Sequence, residues 1–135
     1  MALVNDGRNY MANALIANPT TLFDATNASI GVGTSATAYS ATDSDLLGAN
    51  NATNRRVEVV DVAPTIATNV LTFVATFGTG VANFAWNEWG VFNSAGAQAP
   101  TGGDIMLNRK VESLGTKTSA QSWEITATLT VNIGT

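Results

Sequence analysis

A strict alternation of apolar and polar residues near the C-terminus constrains the fold of this chain more than any other feature. The apolar residues are Trp123, Ile125, Ala127, Leu129, Val131 and Ile133, and they alternate with Ser122, Glu124, Thr126, Thr128, Thr130 and Asn132. Successive side chains of a β-strand point to opposite faces, so the pattern predicts a strand with one face in a hydrophobic core. The threonine-rich face is expected to point outward, where it is either solvated or in contact with a neighbouring subunit.

Shorter β-rich segments precede this strand. A brief strand broken by glycines is predicted over 28–33, where glycine permits a tight bend or a close backbone approach. Segments 55–62 and 69–77 are rich in β-branched and aromatic residues, and we expect them to pair as a hairpin around a turn at 63–65. The second segment places four apolar side chains on one face, namely Leu71, Phe73, Ala75 and Phe77. A further strand is predicted over 105–111.

The N-terminal part of the chain follows a different pattern. Apolar residues recur at helical spacing over 5–18, with Asn5 or Asp6 placed to cap the first turn and Pro19 placed to end the helix. The stretch 34–53 is rich in Ser, Thr, Ala and Asp and is predicted to be a long loop, a type of segment that often carries contacts.

These segments together indicate a mainly β protein. We expect an antiparallel β-sandwich or flattened barrel with one short N-terminal helix. A length of 135 residues suits one domain, so 1–135 is predicted to be a single β-rich domain with its strands and loops over 28–135. The N-terminus lacks the pattern of a signal peptide, and no apolar run reaches the roughly 20 residues that span a bilayer. A soluble product made in the cytoplasm is therefore expected.

The composition excludes several classes of function. The sequence has no histidine and no cysteine, which removes the commonest general base, the commonest metal ligand and the thiol nucleophile. Charged residues make up 12% of the chain and the net charge is −4, with the basic residues scattered. We therefore expect no nucleic-acid partner, no membrane partner, no cofactor and no enzymatic activity.

Three candidate sites are weak on these grounds. The glycine-containing segment 31–35 lacks the lysine of a phosphate-binding loop, so we interpret it as the end of a strand. Asp43 and Asp45 offer two carboxylates to a cation but lack the spacing of a calcium loop, so capping of a turn is preferred. Glu88 and Glu124 have the chemistry of a glycosidase acid pair only if they face each other across a cleft. No catalytic or metal-binding residue is predicted.

The aromatic-rich stretch 81–92 is the most informative part of the sequence. Glu88 lies there between Trp86 and Trp89, and a buried carboxylate must be hydrogen-bonded or paired with a cation. Backbone N–H groups or Arg109 are the expected partners. The functional alternative is a carbohydrate-binding platform made by Trp86 and Trp89, which requires exposed rings.

Three segments, 83–93, 106–111 and 117–123, resemble a family of small virion structural proteins of tailed bacteriophages. The family pattern is an acidic residue, a spacer, glycine and Val/Ile-Phe, followed by a leucine-to-arginine strand and a long terminal strand. The matching positions are Trp86, Glu88, Trp89, Gly90, Phe92, Arg109 and Trp123. The N-terminal half is also similar, at 5–9, at 30–34 and in the loop that ends near Asp45, so the resemblance covers nearly the whole chain.

The resemblance implies a structural role in the virion without catalysis. Family members are labelled head-decoration, tail-fibre or minor tail proteins. Because the sequence has no collagen-like or coiled-coil shaft, a capsid decoration (cement) protein or a short collar or tail adaptor is favoured. The implied partners are major capsid or tail proteins and further copies of the same chain, in a particle assembled in the cytoplasm of the host bacterium. The alternative is a tail-fibre-type module that binds a host-surface protein or glycan.

Overall fold

The computed structural model describes residues 2–16, 21–94 and 104–132. It is mainly β, with two antiparallel sheets and one short helix, and the described strands do not close into a barrel. This arrangement is consistent with a β-sandwich. The elements are α1 (Asn5–Ala14), β1 (Ser29–Gly33), β2 (Arg55–Val59), β3 (Thr65–Ala67), β4 (Val70–Phe77), β5 (Ala85–Phe92), β6 (Lys110–Thr116) and β7 (Trp123–Thr130). No helix in the described ranges is long and apolar enough to cross a membrane.

The strand order is β2-β1-β5-β6 in the four-stranded sheet and β3-β4-β7 in the three-stranded sheet. Strands β4 and β7 pair without interruption from Val70 opposite Thr130 to Phe77 opposite Trp123. The predicted alternation of the last strand is confirmed over β7, since Ile125, Ala127 and Leu129 are buried and the residues between them are exposed. The strand ends at Thr130, earlier than predicted: Val131 is 56% exposed, and Ile133 lies outside the described residues. The predicted apolar face of β4 also points inward, with its last three members fully buried: Phe73, Ala75 and Phe77.

The main core lies between the two sheets. Ile30 and Val32 of β1 contribute to it, as do Trp89 and Val91 of β5, and they belong to the same buried cluster as Phe73. At one end of this core, three aromatic rings pack edge to face: the centroid of Trp86 lies 4.9 Å from that of Phe77 and 5.1 Å from that of Trp123. Such pairs add about 0.5–1.5 kcal/mol each beyond the burial of their apolar area.

The helix is shorter than predicted. It ends at Ala14, and residues 15–16 form a turn, while 17–18 lie outside the described residues. The predicted cap is also wrong: Val4 precedes the helix and makes no side-chain capping bond. A short helix depends on tertiary packing for its stability, and the packed positions of α1 end at Met11: Gly7 is pressed against the backbone of Leu107, Tyr10 packs against Phe23, and Met11 packs against the main core. Leu15 and Ile16 are 88% and 75% exposed, so nothing supports a further turn.

The predicted hairpin of 55–62 with 69–77 is wrong. Strand β2 pairs with β1 in one sheet, while β4 pairs with β3 and β7 in the other. The segment taken as the turn contains the start of β3, which reverses into β4 through Thr68 and Asn69. Thr68 adopts a left-handed φ of 56° there. Because β-branched residues rarely adopt this conformation, the sequence does not indicate a turn at Thr68.

The strand predicted over 105–111 is displaced. Met106 and Asn108 make only isolated bridges, and β6 runs from Lys110 to Thr116. The reason is local: the side-chain Oδ1 of Asn108 accepts the N–H of Val91 at 3.0 Å, in place of a ladder bond between backbones. The turn-forming stretch expected at 93–103 falls mostly outside the described residues, and the loop predicted over 34–53 contains no helix or strand, as expected.

Candidate functional site

The outward face of the four-stranded sheet is covered by the loop 34–54, and three residues of the family resemblance lie beneath it: Glu88, Phe92 and Arg109. Strand β1 sends Ile30 and Val32 into the main core, while Gly31 and Gly33 face the loop. Under the loop lies a second, smaller apolar cluster formed by Val4, Leu46, Val57, Phe92 and Met106. Gly31 makes this cluster possible, because a Cβ there would lie 2.8 Å from the ring of Phe92.

Strand β5 places Glu88 under the same loop. The pairing of β5 with β6 has an irregularity between Trp86 and Glu88. At this point the inward-facing side chains of β5 change from even-numbered to odd-numbered residues. As a result, Trp86 and Trp89 both belong to the main core although they are three residues apart, and Glu88 points away from it. Irregularities of this kind re-aim side chains without breaking a sheet.

The carboxylate of Glu88 is fully buried and fully bonded. Its Oε1 accepts the N–H of Gly48 at 2.6 Å, and its Oε2 accepts the N–H of Leu47 at 3.0 Å and Nε of Arg109 at 2.7 Å. The expected pairing of Glu88 with Arg109 is therefore confirmed, and the backbone donors that were the other possibility are present as well. The two N–H groups belong to the covering loop, so Glu88 fastens that loop to the sheet.

Arg109 continues the network from the other side. Its side chain has no exposed surface, and its remaining donors reach the loop: Nη2 donates to the carbonyl of Thr37 at 3.0 Å and Nη1 donates to Oδ2 of Asp43 at 3.1 Å. Asp43 also accepts the N–H of Ser40 at 2.9 Å. One guanidinium thus joins β5 to two separate parts of the loop, with hydrogen bonds to charged groups that are stronger than those between neutral groups.

Two glycines leave the space that the carboxylate occupies. A Cβ at Gly33 would overlap Oε1 of Glu88, and a Cβ at Gly48 would lie 2.7 Å from the carbonyl oxygen of Asn54 and 3.1 Å from the same Oε1. The interpretation of 31–35 as a strand with a close approach is confirmed. The neighbouring carboxylate would repel a phosphate, so this segment cannot cradle one.

The two aspartates of the loop are occupied by cations of the protein itself. Asp43 pairs with Arg109, and Oδ1 of Asp45 lies 2.6 Å from Nη1 of the buried Arg55, although the N–H is not aligned for a hydrogen bond. Within the described ranges, no group of three potential ligands could hold a metal ion. The expected capping of a turn falls to Asp43, whose Oδ2 accepts the N–H of Ser40 while its own N–H donates to the carbonyl of Ser40, whereas Asp45 accepts only the N–H of the next residue, Leu46.

Glu88 and Glu124 do not form an acid pair. Glu88 is buried on the outward side of the four-stranded sheet, whereas Glu124 is exposed on the outward side of the three-stranded sheet. The main core separates them, so no cleft contains both carboxylates. The geometry that glycoside hydrolysis requires is absent from this pair.

The tryptophans do not form an exposed platform. Trp86 is 2% exposed and Trp89 is 8% exposed, and each indole N–H is bonded, to the carbonyl of Ala82 and to Oε1 of Glu112 respectively. The hydrogen bond from Trp89 holds the pKa of Glu112 below its usual value, with a smaller contribution from Lys110. A sugar therefore has no stacking surface on Trp86 and Trp89, and the platform hypothesis is wrong for these rings.

Two further features have no signal in the sequence. Lys117 is buried, and its Nζ donates to the carbonyl of Val81 and to Oδ1 of Asn83 at 2.9 and 2.8 Å, while burial lowers its pKa. An apolar groove of about 400 Å³ lies between α1 and one end of the three-stranded sheet; its wall includes Met11, Phe23, Ile66, Leu129 and Val131. Both features combine residues from separate elements, and no local pattern marks such a combination.

No protein-family model, curated protein or solved structure matches this chain. The residues of the resemblance have two structural roles. Trp86, Trp89 and Trp123 pack in or against the main core, Glu88 and Arg109 hold the covering loop, and Phe92 belongs to the apolar cluster under it. Gly90 lies against the backbone of Asn108.

Proposed function

We propose that this chain is a non-enzymatic structural protein of a bacteriophage virion. The favoured role is capsid decoration (cement), or otherwise a short collar or tail adaptor. Its partners would be major capsid or tail proteins and other copies of itself, in particles assembled in the cytoplasm of a host bacterium. No cofactor, nucleic acid or membrane forms part of the proposal.

The observation that carries the proposal is the internal use of the motif residues. Glu88 and Arg109, the acidic residue and the arginine of the resemblance, form an ion pair in which both side chains are 0% exposed. Glu88 also accepts two N–H groups of the loop, so neither side chain is available to a substrate. Reactive groups of an enzyme must reach the substrate, so these two residues suit a scaffold and not an active site. Their effect is to hold a long surface loop in one position, which favours a repeated contact between subunits.

The exterior supports the same role. Charged residues are few, and large apolar side chains are exposed at Leu15, Ile16, Leu22 and Ile66. Contiguous apolar surface is typical of places where proteins contact each other, and Ile66 forms part of such a surface in the groove beside α1. The alternative of a tail-fibre-type module that binds a host glycan is less favoured, because the indoles proposed for it, Trp86 and Trp89, are buried.

The test is a reconstruction of the intact particle, combined with quantitative mass spectrometry of its proteins. We expect density for this fold on the capsid surface, or at the collar or tail, in a copy number set by the symmetry of that part. Particles purified from phage lacking the gene are the control and should lose that density. Absence of the protein from purified particles, or a copy number unrelated to either symmetry, would contradict the proposal.

A further inference from the structure

Strand β7 lies at an open edge of its sheet. The order β3-β4-β7 gives it one neighbour, and no other described strand pairs with its second side. The N–H of Val131 donates to the carbonyl of Asn69, the residue opposite it in the register of β4 and β7. Because opposite pairs in an antiparallel ladder alternate between bonded and non-bonded, the odd-numbered residues of β7 bond to β4. The even-numbered residues therefore direct their N–H and C=O groups to the free edge: Glu124, Thr126, Thr128 and Thr130.

This edge has little of the usual protection. Edge strands are normally kept apart by proline, charge, a bulge or short length. Strand β7 has eight residues, no proline, an unbroken register with β4 and a single charged residue, Glu124. An open depression of about 410 Å³ runs along the same edge and is lined by residues 122–126 together with Trp86 and Leu114.

We propose that the β7 edges of two copies of this chain pair antiparallel about a twofold axis at Ala127, which joins two three-stranded sheets into one of six strands. With the axis at Ala127, all four residues whose backbone groups point to the free edge have a partner in the second copy. Thr126 then faces Thr128 of the second copy, and Glu124 faces Thr130, so no two like charges oppose each other.

The side chains favour a second copy as the partner. An even-to-even register keeps the apolar residues of both copies on the core side and the threonines on the outward side. Threonine pairs across antiparallel strands are favourable, and so are pairs of an aromatic with a β-branched residue. The second kind forms where Trp123 faces Val131 of the other copy, and it covers a valine that is 56% exposed in the single chain.

The inference does not rest on the proposed virion role. It concerns the purified chain, whereas the virion role is judged on particles, so each can fail alone. We expect analytical ultracentrifugation of the purified protein to give twice the 13.9 kDa chain mass, with a monomer population that grows on dilution.

Two proline variants locate the contact. Thr128→Pro removes an N–H that points to the free edge and is expected to weaken self-association by about tenfold or more. Ile66→Pro is the matched control, because its register opposite Leu71 directs the Ile66 N–H to the opposite edge of the same sheet. It should leave the dissociation constant unchanged within about twofold. Circular dichroism and tryptophan fluorescence of both variants establish that they fold.

Should Thr128→Pro not fold, engineered cysteines test the same register, since the chain has none of its own. Thr126→Cys with Thr128→Cys should give a disulfide-linked dimer on mild oxidation, through two symmetric contacts. The control, Thr72→Cys with Val74→Cys, has the same spacing on the central strand β4 and should stay unlinked. A monomer at up to about 1 mM would overturn the inference. A dimer that neither weakens with Thr128→Pro nor crosslinks through residues 126 and 128 would also overturn it.

Discussion

Replacement of Glu88 by alanine should destabilise the fold by about 3 kcal/mol. Removing one partner of a buried ion pair costs about 3–5 kcal/mol, because the other charge is left without its counter-charge. Here Arg109 keeps Asp43 at 3.1 Å, so the cost should fall at the lower end of that range. The N–H groups of Leu47 and Gly48 also lose their acceptor, but they belong to a surface loop that can open to water.

Urea denaturation followed by far-ultraviolet circular dichroism measures the effect, since the signal does not depend on Trp89 beside the substituted residue. Glu124→Ala is the control: its carboxylate is exposed on β7, and surface changes of this kind stay within about 0.5 kcal/mol. Both variants should be compared at a dilution at which the protein is monomeric.

A double-mutant cycle with Arg109→Met isolates the pair itself. If Glu88 and Arg109 act together, the double variant should lose less than the sum of the two single losses, by about 1.5 kcal/mol or more. A loss below about 0.5 kcal/mol for Glu88→Ala would refute the reasoning, because that is the range of exposed ion pairs. Strict additivity in the cycle would likewise show that the two side chains do not depend on each other.

Three further outcomes follow from the geometry. Gly33→Ala should destabilise the protein by about 1–3 kcal/mol in urea denaturation because its Cβ overlaps Glu88, whereas Gly78→Ala, with no atom within 4 Å, should be nearly neutral; equal effects would contradict the close approach. Burial lowers the pKa of Lys117, so the unfolded chain binds more protons between that lowered value and 10.5, and stability should rise with pH across this window. Lys117→Met should remove this rise in the free energy of unfolding. If the free energies of unfolding of the two proteins change with pH in parallel, Lys117 is not the cause. Trp123 is only partly buried, whereas Trp86 and Trp89 are buried, so acrylamide should quench the fluorescence of a Trp123→Phe variant less than that of the unchanged protein; equal or stronger quenching in the variant would contradict the burial of Trp86 and Trp89.

The parts of the fold that follow local periodicity could be predicted from the sequence. The alternation of β7 and the apolar face of β4 were confirmed, because a side-chain period of two depends only on neighbouring residues. Strand partners could not be predicted in the same way. Segments 55–62 and 69–77 both had strand character, yet they belong to different sheets, since pairing depends on long-range contacts and on a short strand, β3, hidden in an apparent turn.

The candidate site could likewise be predicted only in part. The need of Glu88 for a partner followed from its position among aromatic residues, and Arg109 was the correct cation. The part played by the loop was not foreseeable, because Leu47 and Gly48 contribute backbone N–H groups, which every residue except proline possesses. The phase change in β5 was also hidden, although it decides that Trp86 and Trp89 share the core while Glu88 leaves it.

The buried charges serve the position of the loop more than the strength of the fold. A buried ion pair is often no more stabilising than apolar residues of similar volume, because both charges lose their hydration. Apolar residues, however, make no directional bonds, whereas Glu88 and Arg109 hold Leu47, Gly48 and Thr37 at defined distances. A loop that is rich in small polar residues has little apolar surface to hold it, so directional bonds are the means available to order it. The network therefore holds the loop in one position, which is the property that the proposed structural role in a virion requires.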